Sequence, residues 1–112
     1  MIKCEEYNRV CVLSPGGADF TAADAQAARQ SVENTIERNG IVDFVLDLEK
    51  AGFVDSAALE TMLWIKRKVE GLSGQLKLAN LDDNCQSILR VTRLENRFEC
   101  HRSLASAVKS MR

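Results

Sequence analysis

The hydrophobic pattern of this chain predicts strands of two kinds. Residues 9–13 show the β-branched alternation of a half-buried strand, and residues 75–80 repeat that alternation. Residues 41–48 are apolar almost throughout, which is typical of a central strand buried on both faces. A short strand is predicted near Phe98, and residues 2–7 predict an edge strand.

Apolar positions at helical spacing predict four helices between these strands. Their predicted starts are Thr21, Ser56, Asp82 or Asp83, and Ser103. In the first helix, Thr21 and Asp24 resemble a capping box, and Asn39-Gly40 supplies the stop. Strands that alternate with helices in this way favour parallel pairing. The predicted fold class is therefore α/β, with a mostly parallel or mixed sheet of four to five strands packed against about four helices.

The second predicted helix, residues 56–72, has two contrasting faces. Its predicted buried stripe consists of Ala58, Met62, Ile65, Val69 and Leu72. The predicted outward side carries Ser56, Glu60, Leu63 and Arg67, with Trp64 at its edge. Trp and Arg are enriched among residues that carry binding energy at interfaces, so this side is a candidate partner surface. The alternative is that Trp64 folds back over a neighbouring element.

Asp55 and Ser56 stand where a strand ends and this helix begins. Both residue types are common helix caps, so capping alone could account for them. The alternative is a serine presented for phosphorylation, because free backbone N–H groups and the positive end of the helix dipole favour phosphate there.

The length and net charge of the chain limit the number of domains and the kinds of partner that we expect. With 112 residues, a single domain over residues 1–112 is expected. The net charge is -1 and no basic stripe is present, which argues against nucleic acid as a partner. No apolar run approaches the roughly 20 residues that span a bilayer, and residues 1–10 do not resemble a signal peptide. We expect no membrane insertion and a soluble, cytoplasmic protein.

Neither the cysteines nor the single histidine predict a reactive site. The chain has four cysteines, at positions 4, 11, 85 and 100, without the paired spacing of a zinc site. Adjacent strand residues point to opposite faces, so Cys100 and His101 should not meet. The four cysteines are expected to be buried small hydrophobes in a reducing compartment. No catalytic triad motif or phosphate-cradling loop is present, so we expect no enzyme, no cofactor and no metal.

Residues 41–98 resemble the STAS domain of bacterial anti-sigma-factor antagonists. In that family a strand of the type "vvlDL" leads through a "v.fiDSsGl" segment into a helix, and a "G..L.L" strand follows later. The matching positions are Asp47, Leu48, Phe53, Val54, Asp55, Ser56, Leu59, Gly74, Leu76, Leu78, Ile88, Leu89, Leu94 and Phe98. Upstream, residues 16–21 resemble the family's Gly-x-x-Asp turn before the first helix, with one residue fewer.

The resemblance implies a STAS fold and partner switching. Members of this kind bind an anti-sigma factor that is also a serine kinase, which releases the sigma factor. The kinase phosphorylates the serine after the signature Asp, here Ser56, and a separate serine phosphatase resets the system. The implied partner-binding residues are Asp19, Thr21, Asp55, Ser56, Ala57, Glu60, Leu63, Trp64 and Arg67.

Three positions depart from the family pattern. Ala57 and Ala58 replace its usual Ser and Gly, and Glu60 replaces a small residue. Because Glu60 lies four residues after Ser56, we hypothesise that it repels phosphate there. The departures leave open an alternative with the same fold, a subunit bound to the ATPase of a lipid-transport ABC complex. A homodimer is compatible with the predicted edge strand and an exposed Trp64.

Overall fold

Five strands form the main sheet of the computed structural model, which describes residues 2–111. The strands are β1 (Ile2–Tyr7), β2 (Val10–Pro15), β3 (Asp19–Phe20), β4 (Asp43–Asp47), β5 (Phe53–Val54), β6 (Gln75–Ala79) and β7 (Glu99–His101). The helices are α1 (Ala22–Asn39), α2 (Ser56–Glu70), α3 (Asp83–Val91) and α4 (Leu104–Lys109), with a 3-10 turn at Glu95–Arg97. The main sheet runs in the order β1-β2-β4-β6-β7, and β3 pairs with β5 in a separate ribbon. The predicted α/β class with a mixed sheet is confirmed.

All pairs in the main sheet are parallel except β1 with β2. Strand β4 lies in the middle, and its Phe44, Val45 and Leu46 are fully buried, as the continuous apolar run predicts. Strand β1 is an edge strand, also as predicted. A two-residue turn at Asn8 and Arg9, both at positive φ, joins it to β2 and fixes their register.

The two faces of the sheet bury different amounts of apolar surface. The larger core joins the sheet to α1, α2 and α3, and it includes Phe44 and Leu46 of β4 together with Met62 and Ile65 of α2. The smaller core lies under α4 and is a cluster that includes Val12, Val45 and Ala107. Helix α4 therefore covers only the far face, away from the start of α2.

Three local predictions are wrong. Thr21 stands at the N-cap of α1, but its side chain makes no capping hydrogen bond, so no capping box forms. Leu72 is 47% exposed, because α2 ends at Glu70 and the chain turns away before reaching it. Cys4 and Cys100 are exposed, whereas Cys11 and Cys85 are buried as expected.

His101 and Cys100 do not form a reactive pair. The imidazole of His101 contacts Ser106 Oγ through Nδ1 at 2.8 Å and Glu99 Oε2 through Nε2 at 2.6 Å. The thiol of Cys100 instead donates to the Phe98 carbonyl at 3.8 Å. The expectation that adjacent strand residues diverge is confirmed.

A buried lysine lies under α4. Lys77 of β6 donates to Ser110 O and Ser110 Oγ at 3.0 and 2.8 Å, and it pairs with Glu99 Oε2 at 2.9 Å. Its side chain is 7% exposed, so these partners replace the water that its ammonium loses. The hydrogen bond from Lys77, followed by that from His101, holds the pKa of Glu99 below its usual range.

We expect the Glu99 carboxylate to make stability depend on acid pH. Because its folded-state pKa is lowered, its contribution is present above the unfolded pKa, about 4.3, and is lost as the pH falls through the folded value. Urea midpoints should therefore differ between the wild type and Glu99→Gln at pH 7 and converge only after the pH has fallen below the lowered folded-state pKa of Glu99. The exposed Glu37→Gln is the control. A difference between wild type and Glu99→Gln that persists unchanged at acid pH would contradict this assignment.

Candidate functional site

The β3–β5 ribbon holds the starts of α1 and α2 side by side. Asp19 pairs in register with Phe53, and Phe20 pairs with Val54. The backbone N–H of Asp55 donates to the Phe20 carbonyl at 3.2 Å, which extends the ribbon to the first residue before α2. Asp19 and Thr21 thus lie beside the Asp55-Ser56 pair, although the two segments are far apart in sequence.

Asp55 is the residue that caps α2. Its backbone is extended, and its Oδ1 accepts from the N–H of Ala58 at 2.8 Å. Ser56 is therefore the first residue of the helix and is exposed. Of the two roles predicted for this pair, helix capping belongs to Asp55. The Ser56 hydroxyl lies on the surface at the end of the helix where the free backbone N–H groups of the first turn are located.

Replacing the cap should cost stability without removing the serine. We expect Asp55→Ala to lower the free energy of unfolding by about 1 kcal/mol, because the N–H of Ala58 loses its acceptor. Asp82→Ala is the matched variant, since Asp82 Oδ1 caps α3 by accepting from the N–H of Cys85, also at 2.8 Å. Urea denaturation of both would test this, and an unchanged midpoint for Asp55→Ala alone would contradict the cap.

The outward side of α2 follows the predicted spacing in part. Glu60 and Arg67 are exposed, while Leu63 is half-buried and packs against the larger core. Ala57 is half-buried next to Ser56. The stripe of Ser56, Glu60, Leu63 and Arg67 is thus continuous but only partly open to solvent.

Trp64 does fold back over a neighbouring element, and the expectation that it is exposed is wrong. It is half-buried against the larger core, and the guanidinium of Arg29, from α1, lies 5.1 Å from its ring centroid. The ammonium of Lys68 lies 5.8 Å from the same centroid. Arg29 is held by its Nε, which donates to Thr61 Oγ1 at 2.9 Å. The indole therefore joins α1 to α2 through cation–π contacts while Trp64 stays partly exposed.

The structure adds Phe53 to the candidate surface. Its side chain is 49% exposed, next to Asp19 in register and three residues before Ser56. In the sequence Phe53 is notable only as part of the family motif, because no local pattern shows that its side chain is exposed. Aromatic residues, Phe among them, are enriched in protein interfaces, so Phe53 joins the candidate surface.

Within residues 2–111, no group of three or more His, Cys, Asp and Glu side chains is arranged to hold a metal ion. None of the helices in that part of the chain is long and apolar enough to cross a membrane.

Comparison with known proteins gives consistent matches. The model of the STAS domain family matches residues 1–107. The STAS-domain containing protein PA14_20770 of Pseudomonas aeruginosa (strain UCBPP-PA14) is 31% identical over 74 residues, which cover 64% of this chain and 73% of that protein.

Two solved structures show how widely the fold is shared. The anti-sigma factor antagonist SpoIIAA in its unphosphorylated form matches with a TM-score of 0.85 at 15% identity, covering 98% of this chain and 95% of that one. A sulfate transporter family protein from Wolinella succinogenes matches with a TM-score of 0.73 at 11% identity, covering 94% and 86%. At these identities the structural matches establish the fold alone.

Proposed function

Because the chain belongs to the STAS domain family, we propose that it is an anti-sigma factor antagonist that acts by partner switching. Its unphosphorylated form binds an anti-sigma factor with serine kinase activity and frees the sigma factor. Phosphate on Ser56 ends that complex, and a separate serine phosphatase restores it. The observation that carries the proposal is the exposed Ser56 hydroxyl at the first position of α2, beside a cap supplied by Asp55.

The local structure supports a modification at Ser56 that leaves the fold intact. Since Asp55 makes the capping hydrogen bond, phosphate on Ser56 removes no intramolecular partner. Phosphate at a helix start is favoured by the dipole and the free N–H groups of the first turn. The fold can therefore remain unchanged while the charge of the surface changes by nearly two units.

We propose a binding surface with two parts that meet at Ser56. One is the ribbon side, with Asp19, Thr21 and Phe53, and the other is the α2 stripe. The proposed contacts on α2 and its cap are Asp55, Ser56, Ala57, Glu60, Leu63, Trp64 and Arg67. This surface carries both acidic and basic side chains.

The remaining features of the proposal follow from this role. Because the proposed partner kinase consumes ATP, the protein acts in the cytoplasm. The protein itself is regulatory and catalyses no reaction. Strand β1 has one unpaired edge, and a homodimer through that edge is compatible with the binding surface on α2.

The test is phosphosite mapping after mixing the protein with ATP and each anti-sigma kinase of its own cell. We expect one phosphate on Ser56, absent in Ser56→Ala and present in Ser87→Ala, which changes another exposed helical serine. Binding without phosphate would replace the switch by a constitutive antagonist. Neither binding nor phosphate, together with capture of a lipid-transport ATPase, would support the ABC-complex subunit instead.

Glu60 should oppose phosphorylation of Ser56. Like charges four residues apart on a helix destabilise it by about 0.2–0.5 kcal/mol per unit pair, and phosphate carries nearly two charges. We therefore expect Glu60→Ala to raise the kinase's rate on Ser56 by about twofold. Glu33→Ala, which removes an exposed carboxylate from α1, should leave the rate unchanged. Equal rates for Glu60→Ala and wild type would contradict the repulsion.

A further inference from the structure

Two cysteines meet on the β1–β2 hairpin. Cys4 pairs in register with Leu13, and Cys11 pairs with Glu6, so the two cysteines are diagonal neighbours on one face of the hairpin. The two-residue turn at Asn8 and Arg9 fixes this register. Their Sγ atoms are 2.7 Å apart and hydrogen-bonded, within reach of a disulfide, whose bond length is about 2.05 Å.

The two thiols differ in exposure and in acidity. Cys4 is exposed and Cys11 is buried in the larger core. The hydrogen bond from Cys11 lowers the pKa of Cys4 to about 6, in spite of the opposing effects of partial burial and of Glu5 and Glu6. The same contact and its burial raise the pKa of Cys11. At neutral pH the hairpin therefore holds an exposed thiolate beside a protonated thiol.

We propose that Cys4 and Cys11 form a reversible intramolecular disulfide on exposure to peroxide, with Cys4 as the oxidised thiol and Cys11 as the resolving thiol. The Cys4 thiolate attacks one oxygen of the peroxide, the O–O bond breaks, and Cys4 becomes a sulfenic acid. Cys11 then attacks this sulfur, an S–S bond forms, and the sulfenic oxygen leaves as water with the proton of Cys11. With hydrogen peroxide as the oxidant, the two thiols together lose two hydrogen atoms, and the peroxide is reduced to two molecules of water.

The bond would fasten the edge strand to the sheet. Strand β1 is hydrogen-bonded to β2 alone, and the exposed Cys4 lies near its middle. A covalent link from Cys4 to Cys11 fixes β1 against a strand whose residues are almost all buried. This inference does not depend on the proposed function, because neither cysteine belongs to the surface around Ser56.

Cys100 provides the internal control. It is the other exposed thiol, but burial, followed by the charge of Glu99, raises its pKa. The larger thiolate fraction of Cys4 outweighs the lower intrinsic nucleophilicity of its thiolate, so we expect iodoacetamide at pH 7 to alkylate Cys4 at least about threefold faster than Cys100. Equal rates would remove the basis for selective oxidation.

The decisive experiment treats the full chain with about one equivalent of hydrogen peroxide, blocks free thiols and digests with trypsin. Cleavage after Lys3, Arg9 and Arg29 separates the two cysteines into residues 4–9 and 10–29, so a disulfide appears as a linked pair of peptides. We expect this pair in wild type and Cys100→Ser, its loss in Cys4→Ser, and its disappearance on reduction with a dithiol. In Cys11→Ser, Cys4 should stop at sulfenic acid with one equivalent and reach sulfinic acid when a second equivalent is added, because each oxidation step consumes one peroxide.

Three outcomes would overturn the proposal: thiols that stay reduced, a wild-type Cys4 that reaches sulfinic acid while Cys11 remains free, or a disulfide between Cys4 residues of two chains. Cys4→Ser alters only an exposed position, so its result does not depend on whether the buried Cys11→Ser variant folds.

Discussion

Gly74→Ala is expected to destabilise the protein by about 3 kcal/mol or more, because a Cβ at this position would overlap backbone atoms. It would lie 2.0 Å from the carbonyl oxygen of Val42 and 2.7 Å from its carbonyl carbon. Neither strand can move easily, since Gly74 N–H donates to Val69 O at 2.7 Å and Gln75 N–H donates to Val42 O at 3.2 Å. To relieve this overlap, the first hydrogen bonds between β4 and β6 would have to break.

Chemical denaturation of Gly74→Ala beside Gly17→Ala measures this effect. A Cβ at Gly17 would have no heavy atom within 4 Å, so that control should change the free energy of unfolding by no more than about 0.5 kcal/mol. If the two variants unfolded at the same denaturant concentration, the close approach of Gly74 to the backbone of Val42 would be wrong.

The second large effect is expected from Ser56→Glu. This change places a carboxylate at the centre of the proposed binding surface, and burying it unpaired against a partner should cost about 2–5 kcal/mol. We expect the affinity for the anti-sigma kinase to fall by at least about 30-fold, because each tenfold costs about 1.4 kcal/mol. Thermal unfolding should be nearly unchanged, since an acidic residue in the first turn of a helix is favourable.

Calorimetric titration of wild type, Ser56→Glu and Ser87→Glu into the kinase would measure the loss. Ser87→Glu adds the same charge to an exposed position on α3 and should bind as wild type does. Full affinity in Ser56→Glu would place the kinase contact elsewhere on the molecule. Equal losses in both variants would point to net charge as the cause.

The sequence predicts the elements that carry a long periodic signal. Residues 41–48 predict the central strand because six of their eight side chains are apolar, as burial on both faces requires. Gly40 ends α1 in the left-handed conformation that glycine favours. The start of α2 is predictable because Asp55 is a strong cap. Strand β4 is shorter than this apolar run, although Ile41 and Leu48 beyond its two ends are still buried.

Other features depend on packing that no local pattern encodes. Strands β3 and β5 have two residues each, too few to show a period, so the neighbourhood of Asp19 and Phe53 could not be derived. Helical spacing gives the direction of Trp64 around α2. It does not give the residue that packs against the indole, because that depends on the position of α1. The contact between Cys4 and Cys11 depends on the hairpin register, which the turn at Asn8-Arg9 sets without any of the usual glycine signal.

The ribbon of β3 and β5 also determines which residues an enzyme can contact together when it binds the folded protein. Asp19 and Ser56 belong to segments more than thirty residues apart in sequence, and only the folded chain places them together through the Phe20–Asp55 hydrogen bond. A synthetic peptide copied from the region around Ser56 carries the acceptor hydroxyl but only one side of the epitope. If Ser56 is modified as we propose, an enzyme that contacts both sides would act on the native protein and not on its nascent or denatured chain.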